Sequence, residues 1–97
     1  MYNMKELVIS TFDVTFIDDN ILHLPAPKVK DRYTLSKLIS KSTLNDLIEA
    51  VCIIVNYNQE NIKYSKEQLE EMLTETEATD FINHYSDWLI GASNQKN

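Results

Sequence analysis

Ninety-seven residues, 43% of them hydrophobic and 25% charged, are enough for one domain around a single small core and are not the composition of a disordered chain. One glycine and two prolines argue against an all-β fold with many tight turns, and a lone cysteine, Cys52, excludes an intrachain disulfide. A net charge of −6 makes nucleic acid a poor partner. The longest unbroken apolar run, AVCIIV, is too short to cross a bilayer, and MYNMKELVIS lacks the charged and apolar regions of a secretory signal. A cytosolic protein without a membrane partner is expected.

The expected fold is α+β and mainly helical: an N-terminal antiparallel β-hairpin over about 7–24, then helices over about 31–41, 43–57, 65–74 and 76–90. Residues 1–92 form the domain and 93–97 a polar flexible tail. Val8, Phe12, Val14 and Phe16 share one parity, broken by Ser10, which is the pattern of a half-buried strand. Asp18, Asp19 and Asn20 are turn residues, and Ile21–Leu24 returns as the second strand. Pro25 and Pro27 end the hairpin, because proline gives no donor to a ladder.

Tyr33, Leu35, Leu38 and Ile39 mark a short first helix, with Asp31 near its start. Ser42 or Thr43 caps the second. Its positions 44, 47, 48, 51, 54 and 55 form one apolar stripe, while Ala50, Ile53 and Tyr57 fall outside it. A helix so apolar on most sides is either central in its own domain or covered by a partner. Ser65 and Gln68 have capping-box spacing, and Tyr64 and Leu69 that of a hydrophobic staple, so a third helix starts at Ser65. The last starts near Thr76 and carries Ala78, Phe81, Ile82, Tyr85 and Leu89 on one stripe, broadened by Trp88.

No constellation spells out a reaction. His23, His84 and Cys52 lie in different elements, no elbow frames a nucleophile, and one glycine cannot build a phosphate cradle. Asp80, His84 and Asp87 share a helical face at metal-ligand spacing, but a solvated face with local hydrogen bonds is the favoured reading of them. Cys52 reads as a buried, inert thiol. The expectation is a non-catalytic protein with no cofactor and no metal. Ile53, Tyr57, Phe81, Tyr85 and Trp88 are the candidate protein-interaction residues, since Trp and Tyr anchor interfaces and the first two lie off the core stripe. Charge is uneven: residues 25–41 carry Lys28, Lys30, Arg32, Lys37 and Lys41 against Asp31, whereas 60–87 carry eight acids against Lys63 and Lys66.

A hairpin leading into LPAPKVKDRYTLSKLI, the apolar LNDLIEAVCIIVNY, then KYSKEQLEEML and a closing FINHYSDWLIG resemble the tail assembly chaperones of long-tailed, siphovirus-like bacteriophages and prophages. The likeness spans roughly residues 8–92. It is carried by Pro25 and Pro27 at the hairpin exit, the Y-S-K-E-Q-L helix start, and the F-I-x-x-Y-x-x-W-L final helix. It implies a protein of the host bacterial cytoplasm that binds and solubilises the tape-measure protein until tail-tube subunits replace it. It also implies a longer fusion made by a −1 ribosomal slip, and the terminal QKN is encodable as CAA AAA AAC, which holds a slippery heptamer. The opposed charges of 25–41 and 60–87 would let copies self-associate head to tail. Two other readings stay open: a small acidic interaction or inhibitor protein, and a structural tail subunit.

Overall fold

The computed structural model describes residues 1–6, 10–41 and 43–93. After a 3-10 turn at Met4–Glu6 come strands β1 (Thr11–Thr15) and β2 (Ile21–Pro25). Helices α1 (Val29–Lys41), α2 (Leu44–Val55), α3 (Lys66–Met72) and α4 (Glu75–Ser93) follow. The architecture is the expected one: mainly helical α+β, with an antiparallel hairpin ahead of four helices. Val8, Ser42 and residues 94–97 of the expected tail lie outside the described residues.

The hairpin pairs Phe12 with Leu24 and Val14 with Leu22. Leu22, Leu24 and Phe16 are buried on the face that period-two patterning assigns to the core. Asp19 adopts φ 69°, a left-handed conformation that Asp tolerates, and its N–H donates to Phe16 O at 2.9 Å. Asp18 accepts from Asn20 N–H at 3.1 Å and from the Tyr64 hydroxyl at 2.7 Å, so the turn is tied to the segment entering α3.

α2 packs against α1, α3, α4 and β2, which makes it the central helix. Most of its apolar surface is therefore covered by its own domain. Two stripe expectations change. Ala50 is fully buried although it sits off the stripe, because α2 is enclosed on more than one side. Leu44, expected in the core, is 52% exposed, since it is the first residue of the helix, where the chain enters from solvent. Thr43 caps the helix, accepting from Asp46 N–H at 3.2 Å.

α1 begins at Val29, two residues before its expected start and two after Pro27. One orphan N–H, that of Lys28, donates to the Tyr57 hydroxyl at 3.0 Å, and that hydroxyl donates to Asp31. The capping box at Ser65 is present: Gln68 N–H donates to Ser65 Oγ at 3.1 Å and Ser65 N–H to Gln68 Oε1 at 2.8 Å. A second box, not anticipated, starts α4: Glu77 N–H donates to Thr74 Oγ1 at 3.2 Å and Thr74 N–H to Glu77 Oε1 at 2.9 Å. At the other end Gly91 keeps a backbone of negative φ rather than the left-handed C′ form, so α4 continues to Ser93.

The irregular segment 56–64 is held by two asparagines. Asn56 Nδ2 donates to Cys52 O and Tyr64 O, both at 2.8 Å, and its Oδ1 accepts from Tyr64 N–H at 2.8 Å. Buried Asn58 donates to Val55 O at 2.7 Å and accepts from Ile62 N–H at 2.9 Å. Burial pushes the half-buried Cys52 thiol above its ordinary pKa and outweighs the opposing effect of Asn56 Nδ2, which donates to its sulfur at 3.4 Å.

Candidate interaction groove

A two-stranded sheet has two open edges, and this one treats them differently. Phe16 N–H donates to Asn20 O at 2.8 Å, which fixes the antiparallel alternation. Residues 12, 14 and 16 of β1 face β2 with their backbone groups, while those of Thr11, Asp13 and Thr15 point the other way. By the same alternation Ile21, His23 and Pro25 point outward from β2. There the edge is closed: His23 O accepts from Gln59 N–H at 3.1 Å and His23 N–H donates to Glu60 Oε1 at 2.9 Å. Pro25 sits at an outward position, where its missing N–H costs no ladder bond. On β1 no described residue bonds to the outward backbone groups of Thr11, Asp13 or Thr15.

Alongside this open edge runs a groove of about 670 Å³ between β1 and the start of α4. Its floor is apolar, built from Val14, Phe16, Leu73 and Phe81. Its rim is acidic: Asp13 and Asp19 on the hairpin side, Glu77 and Asp80 on the helix side. His84 is the one lining residue able to carry positive charge. Its Nδ1 donates to Asp80 O at 2.9 Å, and this bond, with the nearby Asp80 carboxylate, holds its pKa above the ordinary value. The trio Asp80, His84 and Asp87 thus resolves into a local i, i+4 contact on an exposed helical face.

An aromatic cluster underlies one end of the groove. The Phe12 ring lies 6.2 Å from Phe81, 5.7 Å from Tyr85 and 5.9 Å from Trp88, centroid to centroid. Phe81 and Tyr85 are buried, and burial lifts the Tyr85 phenol to about 12. Trp88 is half-buried. Of the five candidate interaction residues the fold thus brings together Phe81, Tyr85 and Trp88, and only Phe81 lines the groove. Ile53 and Tyr57 lie apart from them on α2 and just beyond it. Ile53 packs against the core, and the Tyr57 hydroxyl bridges Lys28 and Asp31.

The groove was not found by sequence reasoning. In the sequence its acids Glu77 and Asp80 are only part of a charge run, and the parity of Phe12, Val14 and Phe16 marks a half-buried strand without saying which edge stays open. Among the described residues no cluster of His, Cys, Asp and Glu is arranged to hold a metal ion. No helix among them is long and apolar enough to cross a membrane. Compared with family models, curated proteins and solved structures, the chain gives no significant match.

Proposed function

We propose that this chain is a non-catalytic binding protein acting as a phage tail assembly chaperone. It holds a tape-measure protein soluble in the host bacterial cytoplasm until tail-tube subunits displace it. The groove beside β1 carries the proposal, because it joins on one surface an apolar floor, a charged rim and strand backbone groups that no described residue bonds. Most of the apolar surface of the central helix is engaged within the domain. The layout of proline-ended hairpin, apolar helix, capped third helix and aromatic final helix supports the chaperone assignment through its resemblance to that family.

Co-expression with the tape-measure protein of the same genome tests the proposal. The expected result is a soluble complex that co-purifies through a tag on either partner. A tape-measure protein that stays insoluble, with the chain recovered alone, overturns it.

A further inference from the structure

The groove and the open edge are one surface, and their chemistry specifies an occupant. β1 extends for five residues, roughly 17 Å at strand rise. Each outward residue (Thr11, Asp13, Thr15) offers one N–H and one C=O to a neighbouring strand. A strand laid against this edge would alternate its side chains between two faces. One set would enter the groove against Val14, Phe16 and Phe81. The other would lie beside the exposed Asp13 on the solvent face. Acids ring the groove on both walls, and His84 is the one counter-charge among its lining residues.

Resting on the reading of this chain as a binding protein, we infer that it captures an extended partner segment by strand addition to β1, the segment alternating apolar residues with lysine or arginine. Apolar side chains fill the groove, the cations on the solvent face lie beside Asp13, and the rim acids Asp19, Glu77 and Asp80 add a negative field that favours a basic segment. A second copy is the wrong occupant. Two β1 edges paired antiparallel about their midpoint would set Asp13 against Asp13, and like charges directly opposite are destabilising. The approach of two chains of net charge −6 adds repulsion. The closed edge of β2 offers no equivalent, since Gln59 and Glu60 already occupy it.

The probe is a labelled hexapeptide, Lys-Val-Arg-Ile-Lys-Val, titrated against the full chain by fluorescence anisotropy. The comparison peptides are its all-Glu analogue and a form N-methylated at alternate residues, in either register. N-methylation removes the peptide's backbone donors without touching the protein, so no folding defect can intervene. Strand addition predicts binding of the basic peptide, no binding of the acidic one, and a loss of about tenfold or more in the N-methyl register that faces β1. It also predicts slowed amide exchange at Thr11, Asp13 and Thr15. Equal binding of both N-methylated forms would mean that charge alone holds the peptide, and would overturn strand addition while leaving the chaperone proposal standing. Absence of binding, or binding accompanied by unchanged exchange at those amides, also overturns it. Loss of solubilisation on co-expression is a separate result that fails the chaperone proposal instead.

Discussion

Glu60 closes the outer edge of β2 by holding His23 at two points: Oε1 accepts the His23 backbone N–H at 2.9 Å, and Oε2 meets ring Nδ1 at 2.6 Å. The two residues are 37 positions apart, so this contact clamps the hairpin to the segment after α2. It is also what distinguishes the sealed edge from the open one.

The clamp makes stability depend on pH. The hydrogen bond from Glu60 raises the pKa of His23 above 6.5, so its contribution is complete below that value and fades as pH rises through the folded pKa. Bonds from His23, its backbone N–H first, lower Glu60 below 4.5, so that contribution is complete above 4.5 and fades as pH falls through the folded pKa. Both are present together between about 4.5 and 6.5. Melting temperatures of the wild type and Glu60→Gln, measured from pH 3 to 9, should differ most in that window. A pH-independent difference would contradict the account.

The Tyr57 hydroxyl accepts from Lys28 N–H and donates to Asp31, satisfying the start of α1 from the end of α2. Tyr57→Phe keeps the ring and removes both bonds. The expected loss is about 1 kcal/mol in chemical denaturation. Ile53→Ser should also lower stability, because Ile53 packs against the core. If both variants melt like the wild type, their strip is free surface available to a partner.

Two capping boxes start neighbouring helices, Ser65 with Gln68 and Thr74 with Glu77. Ser65→Ala and Thr74→Ala should each cost about 1 kcal/mol. The two losses should add in the double variant, because the boxes share no hydrogen-bond partner. Denaturant midpoints at unchanged m-value would check this.

Phe12 is the one residue of β1 whose ring meets three aromatic residues of α4. Phe12→Ala should destabilise the protein by about 3 kcal/mol. It should also shift Trp88 emission to the red as the indole loses its neighbour. An unchanged emission maximum would mean that Trp88 is shielded by other contacts.

Local signals in the sequence were reliable where the chemistry is local. Ser65 and Gln68 lie three apart and satisfy each other's backbone, so spacing alone identifies the helix start. Thr74 and Glu77 show the same spacing and start α4 at Glu75, one residue before the expected Thr76. The hairpin followed from the parity of Phe12, Val14 and Phe16 together with Asp19, which takes the left-handed turn position. What periodicity does not carry is pairing across distance. Nothing near His23 announces Glu60, and nothing near Asn56 announces that its amide will hold Tyr64. The contrast between the two sheet edges is likewise a matter of distant pairing: His23 with Glu60 seals β2, while no described residue bonds the outward edge of β1. Leu44 and Ala50 show the same limit in the core, because one helix's stripe does not reveal how many neighbours will enclose it.

The central claim is that the acidic, strand-edged groove holds the partner. It is tested most directly by the amount of tape-measure protein kept soluble during co-expression with the wild type and with Asp13→Lys/Asp80→Lys. Both positions are exposed, so the double variant should fold normally, which its melting curve would verify. The account predicts that the wild type keeps the tape-measure protein in solution and that the folded double variant does not. Equal solubilisation by the two would contradict it.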